Sequence, residues 1–437
     1  MDTTSSVSTW TALIQQFFPV FTAPGAPIFL DLVTGWILCT ARHTITGILP
    51  FADPQHRHAH DAFHRFFPDT HWDMSELWRL LATLLIKTFY PQGVIEVDLD
   101  DTLFHRCGRK VCGAAAWRDA VRSTRAKTVF AWGLNLVVLT VRVYPPWGGE
   151  PLGLPILMRL HRKQGDSLID LAEAMILQVR QWLPDRAIRL HADGFYASLA
   201  GRDIGGVHLI HPLRGYPLRR DAVLYEPLSS KRRGKRPGRP RTKGRRLLAP
   251  EQMARKVHRW LRVTTIERGK ARERLVYAHQ VLWYRVSKTP ILLVISRDPA
   301  GIEHDDFFFT TDLSLTPEQV IGGFAGRWSI EDTFKNTKQF IGGQEPQTWK
   351  GQGPERAAML SLWLCSVVWY WYLSQPERVR QVSGPVWYPG KSHPSFLDAL
   401  AALRRHLWRQ RIISMFGKPF GHNRNIETLL AALSRAA

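Results

Sequence analysis

The chain has 437 residues, of which 45% are apolar and 11% aromatic, and its formal net charge is +22. This composition excludes a disordered protein and is sufficient for two or three domains. A positive charge this large destabilises a compact fold unless an acidic partner offsets it, and the commonest such partner is nucleic acid.

The sequence carries no sign of export or of membrane insertion. Four cysteines are too few for a disulfide scaffold. The first ten residues, MDTTSSVSTW, lack the basic and apolar segments of a secretion signal. The longest apolar run, from Ala357 to Leu373, is shorter than the roughly 20 residues of a membrane span. We therefore expect a cytoplasmic, nucleoid-associated protein without membrane contact.

Residues 1–90 are predicted to form a helical N-terminal DNA-binding domain. The segments FFPVF, LDLVTGWILCTAR and SELWRLLATLLIKTFY carry apolar residues at helical spacing. Between the last two lies DPQHRHAHDAFHRFF, which is rich in His and Arg. This segment is either a polar loop or an element that contacts DNA phosphates, and the sequence favours neither interpretation.

Strand patterns dominate residues 91–223. Three apolar strands come first, in GVIEVDLDDTLF, TVFAWGLNLVVLTVRVY and LPILMRLH. Asp166 and Ser167 can cap a helix that runs to Trp182, and strands in AIRLHADGFY and GVHLIHPLR follow it. This order, three strands, a helix, a strand, a helix and a strand, resembles the RNase H-like core. It predicts an α/β fold with a mixed sheet, of which residues 91–223 are the first part.

A small cluster in this region raises the question of a zinc site. His105, Cys107 and Cys112 are ligand types that zinc prefers, but a fourth ligand is missing at any short spacing. We therefore do not expect zinc here.

Residues 224–297 interrupt the core and are predicted to form a β-rich insertion domain with a basic loop. The loop, SSKRRGKRPGRPRTKGRR, has ten basic residues and no acid, so it is either solvated or bound to a polyanion. Its RPGRPR centre resembles the Arg hooks that enter the minor groove of AT-rich DNA, although a plain basic linker is the simpler interpretation. We expect DNA contacts from Lys231, Arg232, Arg233, Lys235, Arg236, Arg239 and Arg241.

Residues 298–350 are predicted to complete the core with a strand, FFFTTDL, and a helix. Thr316, Pro317 and Gln319 form a helix-start signal with a capping box. Arg and Glu four residues apart, as in this helix, can form an ordinary surface ion pair. Four residues at positions i, i+3, i+7 and i+14 would share one helical face across four turns: Phe324, Arg327, Glu331 and Lys338.

The spacing Phe-x2-Arg-x3-Glu-x6-Lys, from Phe324 to Lys338, is similar to the Tyr-x2-Arg-x3-Glu-x6-Lys signature of one group of bacterial insertion-sequence transposases. These enzymes are of the DDE class, have an RNase H-like core, and carry a β-rich insertion between the second Asp and the Glu. Their Asp-x-Thr at the end of the first strand is matched by Asp100 and Thr102, and their Asp before Gly and an aromatic residue is matched by Asp193. Phe324 replaces the Tyr of the pattern and lacks its hydroxyl group. The resemblance covers residues 93–343.

The resemblance implies a DNA transposase that binds the ends of an insertion sequence and performs Mg2+-dependent strand cleavage and strand transfer. Asp100, Asp193 and Glu331 would be the catalytic residues and would hold two Mg2+ ions, for which Mn2+ can substitute, because hard cations prefer carboxylate oxygens. The implied partner is double-stranded DNA, bound by a homodimer in which each protomer cuts the end held by the other. DNA contacts are implied for Phe324, Arg327, Lys335 and Lys338.

Two other functions stay open at this stage. The stretch VDLDDTLF also matches the first motif of haloacid-dehalogenase-like phosphatases, in which Asp98 would be the nucleophile and Asp100 the acid/base. A domesticated transposase that binds DNA without cutting it is the second. Within the transposase interpretation, Asp100 is the preferred first metal ligand because it precedes x-Thr. Asp98, Asp101 and Thr102 would orient the metal ligands without binding the metal themselves.

Residues 351–437 are predicted to form a helical C-terminal region that packs behind the site. The segment SHPSFLDALAALRRHLWRQRIISMF is amphipathic and basic on its polar face. Such a helix suits contact with DNA or with a second protomer.

Overall fold

The computed structural model describes residues 9–124, 126–212, 222–228, 241–380, 390–416 and 424–435. Its N-terminal part is helical, and polar side chains cap three of the helix starts, at Thr9, Thr44 and Asp73. Thr44 accepts a hydrogen bond from the backbone N–H of Gly47, and Asp73 accepts one from that of Ser75. The helices are α1 (Trp10–Gln15), α2 (Gly25–Leu38), α3 (Ile45–Ala52), α4 (His60–Phe66) and α5 (Met74–Phe89), with a short 3-10 helix at Phe18–Val20.

A mixed sheet forms the centre of the described structure. Its first elements are β1 (Ile95–His105), β2 (Ala115–Arg118), β3 (Phe130–Val143), β4 (Leu152–His161), α6 (Leu168–Trp182), β5 (Ile188–Ala192), a 3-10 helix (Gly194–Gly201) and β6 (His208–Pro212). β3 runs antiparallel to β1 and β4, whereas β5 runs parallel to β1 and to β6. The predicted α/β class with a mixed sheet is confirmed. The element order agrees with the expected core, apart from the extra β2 and a 3-10 helix where an α-helix is predicted.

The strands of the interrupting segment belong to the same sheet. They are β7 (Leu261–Glu267), β8 (Lys270–Val281) and β9 (Ile291–Arg297), preceded by α7 (Pro250–Lys256) and followed by β10 (Asp306–Thr310). β10 is hydrogen-bonded to β6 on one side and to β9 on the other, which leaves no open edge between the two halves. The sequence predicts a β-rich insertion domain here, and in the structure its strands extend the central sheet to ten strands within the described residues.

Five C-terminal helices complete the described fold, and three of them contribute to the main apolar core. They are α8 (Pro317–Gly326), α9 (Ser329–Gln339), α10 (Gly353–Leu373), α11 (Phe396–Phe416) and α12 (Arg424–Arg435). A single hydrophobic cluster joins residues of the N-terminal helices, strands β1, β3, β4 and β5, and helices α9 to α11. Arg356 on α10 donates to the carbonyl oxygens of Phe67 (2.9 Å) and Thr70 (2.7 Å). The first 90 residues are therefore packed as part of the same unit as the core and the C-terminal region.

Helix α10 contains the apolar run that was considered as a membrane span. Nearly all of its side chains are buried, including Trp363 and Tyr372. Within the ranges that the structure describes, no helix has the length and apolar character that crossing a membrane requires.

The crossing of α2 and α3 gives a first prediction. A Cβ added to Gly35 would lie 2.5 Å from the backbone N and Cα of Ala52, atoms that cannot move without shifting α3. We expect Gly35→Ala to lower the free energy of unfolding by about 1–3 kcal/mol, as overpacking does. Gly165→Ala is the control, because its nearest neighbours lie at 3.5 Å. Equal denaturant midpoints for the two variants would contradict the described helix contact.

Candidate active site

Two predicted acids meet at the edge of the sheet where β1 and β5 run parallel. Leu99 pairs with Ala192, so Asp100 and Asp193 are the next residues on adjacent strands. The Asp193 side chain accepts a hydrogen bond from the N–H of Phe195 at 2.9 Å and so caps the 3-10 helix that begins at Gly194. The carboxyl ends of parallel strands open onto a crevice, and binding sites in such sheets are commonly found there.

The helix that carries Glu331 is interrupted. Thr316 and Gln319 form the predicted capping box, but α8 ends at Gly326 and α9 begins at Ser329. The prediction of one continuous face from Phe324 to Lys338 is therefore wrong. The physical reason is packing: a Cβ on Gly326 would lie 2.7 Å from Nη1 of Arg142, and glycines are also poor helix formers.

Arg327 lies in this break and brings the predicted acids together. Its Nη1 donates to Oδ2 of Asp100 at 2.7 Å, and its Nη2 donates to Oε1 of Glu331 at 3.0 Å. Its charge also interacts with Asp193. Residues from β1, β5 and α9 thus surround one guanidinium group that is only 10% exposed.

Burial makes this group of acids hard to ionise. It raises the pKa of Asp100 to about 7, against the opposing effect of Arg327, and the charge of Asp193 raises it further. Burial also raises the pKa of Asp193 and of Glu331. A carboxylate in such a place needs a cation beside it, and Arg327 supplies one positive charge for the three acids.

The donor set suits a divalent metal, although it is not arranged as a binding site. Carboxylate oxygens are the ligands that Mg2+ prefers, and a cation would relieve the charge that burial penalises. Among the residues that the structure describes, however, no three His, Cys, Asp or Glu side chains form a group that could hold a metal ion. Arg327 occupies Oδ2 of Asp100 and Oε1 of Glu331, so its guanidinium would compete with a metal ion for these two oxygens.

Asp98 has a structural environment that separates it from its neighbours. It is fully buried, and both of its oxygens accept from Nε of Arg142 at 2.9 Å. Its Oδ2 also accepts from the hydroxyl of Ser329, the first residue of α9, at 3.1 Å. A nucleophile with both oxygens engaged in the interior cannot reach a phosphate, which opposes the phosphatase interpretation. Asp98 instead joins β1 to the start of the helix that carries Glu331.

Sequence reasoning missed the partners of Asp98 and the charges around them. Arg142 lies within an otherwise apolar strand, and an isolated Arg in such a run is a signal that could have been used. Beside it, Glu96 contacts Arg189 at 2.7 Å and His191 at 3.0 Å. Although burial opposes it, His191, Arg142 and Arg189 hold the pKa of Glu96 down at about 2.

Asp101 and Thr102 lie next to the acids but face other partners. The Asp101 carboxylate accepts from the hydroxyl of Tyr196 at 3.1 Å, and burial raises its pKa to about 6. Asp98 and Asp100 contact Ser329 and Arg327, so Asp101 is on the opposite strand face, as β alternation predicts. Thr102 is buried.

The predicted DNA-contacting residues have different surroundings. Phe324 packs against Phe308 with ring centroids 5.1 Å apart. Lys338 lies over the ring of Phe104 at 5.7 Å, apart from the Arg327 cluster, and Lys335 is exposed. Arg241 is also exposed. Six further residues lie outside the described ranges: Lys231, Arg232, Arg233, Lys235, Arg236 and Arg239.

The possible zinc ligands do not come together as a metal site in the described structure. His105 bonds to Asp119, with Nε2 and Oδ2 2.9 Å apart, and the thiols of Cys107 and Cys112 are exposed.

A residue from the turn between β7 and β8 also reaches the glutamate helix. The Arg268 guanidinium lies 3.8 Å from the ring centroid of Trp328, and its charge lowers the pKa of Glu331 against the larger effect of burial. Arg268 and Gly269 both have positive φ, the geometry of a two-residue hairpin turn. The turn is visible in the sequence as ERGK, but its contact with Trp328 is not.

The pair of Asp98 and Arg142 gives the second prediction. Asp98→Ala leaves the Arg142 charge buried without its main partner, and breaking such a pair costs about 3–5 kcal/mol of folding free energy. We expect a large fall in the denaturation midpoint for this variant. Asp332→Ala, which removes an exposed acid from α9, is the control and should differ little from wild type. A wild-type midpoint for Asp98→Ala would show that the pair does not stabilise the fold.

The raised pKa of Asp100 gives the third prediction. Its value in the folded protein is about 7, against about 3.9 in an unfolded chain, so between these pH values the folded state retains a proton that the unfolded state has lost. In metal-free buffer, stability should therefore decrease as pH rises from 4 to 7, by up to about 4 kcal/mol from this residue. Asp100→Asn should flatten the pH dependence of the unfolding free energy. An unchanged slope would contradict the assigned environment.

Comparison with known proteins identifies the family of the chain. The family model for a DDE superfamily endonuclease matches residues 16–278, more than half of the chain. This match includes Asp100 and Asp193 and ends before Glu331. No curated protein shows significant similarity to the chain. Enzymes of this superfamily act on DNA and generally use divalent metal ions. The extent of the match means that the protein belongs to the DDE superfamily endonucleases.

Proposed function

We propose that this protein is a transposase that cuts DNA at the ends of an insertion sequence and joins them to target DNA. Asp100, Asp193 and Glu331 are its catalytic carboxylates and metal ligands. The observation that carries this proposal is the convergence of the three acids, from β1, β5 and α9, on the buried guanidinium of Arg327. The net charge of +22 supports a DNA partner, because phosphate neutralisation dominates DNA affinity.

The three carboxylates would hold two Mg2+ ions, or Mn2+ in their place. Such ions, when bound, activate the attacking oxygen and stabilise the leaving oxygen of a phosphodiester. In the first reaction, a water oxygen attacks phosphorus and the bond to the 3′ oxygen breaks, which leaves a 5′ phosphate and a 3′ hydroxyl. In the second, that hydroxyl attacks a target phosphodiester and displaces another 3′ oxygen. The number of bonds to phosphorus is unchanged in each reaction.

Arg327 is placed to contribute directly to the reaction. Its N–H groups donate to Asp100 and Glu331, and phosphate oxygens are competing acceptors for the same fork of donors. In this proposal Arg327 holds the scissile phosphate once it has released the two acids. The side chain is 10% exposed and its Nε has no partner within the described structure, so a donor remains available.

Asp98, Arg142 and Ser329 position α9 rather than react. Their buried contacts tie the first residue of α9 to the strand that carries Asp100, so the distance between β1 and Glu331 is set by groups that DNA does not touch. This arrangement provides the preorganisation that transition-state stabilisation requires. A homodimeric complex on two DNA ends remains part of the proposal.

The fourth prediction concerns cleavage. Purified full-length protein, mixed with duplexes from both flanks of its coding sequence, should nick or cut them in Mg2+ or Mn2+ and not in a chelator. Asp100→Asn, Asp193→Asn and Glu331→Gln should each abolish cleavage while duplex binding persists, because each removes a charged ligand without changing side-chain size. The exposed neighbour change Asp332→Asn should leave cleavage intact.

Each competing function predicts a different result in this assay. Duplex binding without metal-dependent cleavage would mean that the protein is a non-catalytic DNA binder. Hydrolysis of p-nitrophenyl phosphate that depends on Asp98 would favour the phosphatase. If Asp101→Asn abolished cleavage and Asp100→Asn did not, Asp101 would be the first ligand.

A further inference from the structure

A basic cavity lies beyond the end of β1 and is separate from the catalytic acids. Its volume is about 660 Å3, and it opens between the β1–β2 loop and the segment that follows α9. Four cationic side chains line it: Arg42, Arg106, Arg109 and Lys110. The acid in its wall, Glu345, accepts a hydrogen bond from the backbone N–H of His43 at 2.6 Å, and the same carboxylate oxygen lies 3.0 Å from Nδ1 of His43. The cavity therefore presents an excess of positive charge.

Arg106 is a buried cation in this cavity that lacks an acidic partner in the described structure. It is 7% exposed, and its Nη2 and Nη1 donate only to the carbonyl oxygens of Gly343 and His105, at 3.2 and 3.5 Å. Its Nε has no hydrogen-bond partner among the residues that the structure describes. Burial lowers the pKa of Arg106 to about 10, which reflects an uncompensated charge. Uncompensated buried charges are costly, so a group of this kind indicates an anion that binds from outside.

The cavity is aligned with the catalytic acids along one strand. Asp100 lies in the middle of β1, and Arg106 follows its last residue, His105. Six residues of extended chain span about 20 Å. A strand of B-DNA advances about 3.4 Å per nucleotide, so this distance corresponds to about six nucleotides. Lys338, over the ring of Phe104, provides a further cation between the two places.

We propose that the basic cavity is a binding subsite for backbone phosphates of DNA, about six nucleotides from the phosphodiester at the catalytic acids. The inference rests on the proposed function, whose substrate it extends. Arg109 and Lys110 are exposed at the cavity and make the first contact, and Arg106 provides the desolvated donor within it. Its guanidinium fork suits phosphate oxygens, which accept two N–H groups in parallel.

A native thiol allows the subsite to be tested without mutation. Cys107 lines the cavity and is exposed. Cys112 is exposed but is not in the lining of the cavity, and Cys39 and Cys365 are buried. Labelling of full-length protein with N-ethylmaleimide, followed by peptide mass spectrometry, should show Cys107 modified severalfold more slowly in the presence of duplex DNA at low salt. High salt should restore the rate, because phosphate contacts are salt-dependent. The proposal would be overturned if DNA did not change the labelling rate of Cys107, or if polyglutamate slowed this labelling and DNA did not.

A matched pair of variants tests the same subsite by affinity. Arg109→Ala with Lys110→Ala removes two exposed charges from the cavity, and Lys87→Ala with Lys256→Ala removes two exposed charges elsewhere. The first pair should reduce the slope of log Kd against log salt concentration by about 2, since each lost phosphate contact reduces it by about 1. The second pair should leave that slope near the wild-type value. Equal slopes for the two pairs would overturn the proposal.

The two proposals can fail separately. A protein that binds DNA and protects Cys107 but never cleaves would refute the transposase function and retain the subsite. A protein that cleaves in Mg2+ while Cys107 labelling stays unchanged would refute the subsite alone.

Discussion

The buried contact of Asp98 with Arg142 and Ser329 is the constraint on which the site depends. It joins the middle of β1 to the first residue of α9, two elements that are more than 200 residues apart in the chain. Arg142 also lies against Gly326, where α8 ends. The same guanidinium thus fixes the end of one helix and, through Asp98, the beginning of the next. Arg327 is in the break between them, which explains why it reaches both Asp100 and Glu331.

The cationic side chains around the site balance only part of the negative charge of its carboxyl groups. Asp100, Asp193 and Glu331 are all resistant to ionisation because of burial, and one Arg serves the three. Below them, Glu96 is held ionised by Arg189 and His191 as well as by Arg142. Glu96 therefore has several cationic partners, whereas Asp100, Asp193 and Glu331 have fewer positive charges beside them than carboxyl groups. Added cations are most stabilising where buried carboxyl groups outnumber the positive charges beside them, as they do here.

Much of the fold followed from local patterns in the sequence. The cap at Ser167, the capping box at Thr316 and the apolar strands were predicted because each depends on a few neighbouring residues. The break before Ser329 was not, and it lies beside the contact of Gly326 with Arg142, which joins distant segments of the chain. The extension of the sheet by β7, β8 and β9 was missed for the same reason. Alternation can identify a strand, but its pairing partner is a long-range property.

The candidate site shows the same division between local and distant information. Strand alternation correctly places Asp98 and Asp100, which are two residues apart, on one face of the strand. It does not distinguish the roles of the two side chains, whereas their depth in the structure does. Asp98 is fully buried and both of its oxygens are engaged by a fixed Arg, whereas the Asp100 side chain is 20% exposed and contacts an Arg that lies at a helix break. The first carboxylate cannot exchange its partner without disrupting the core. In the proposed function the second can, because phosphate oxygens would compete for the N–H donors of Arg327. Two acids of identical chemistry, in one short stretch of strand, are thus given a structural and an exchangeable role by the cations that distant parts of the chain bring to them.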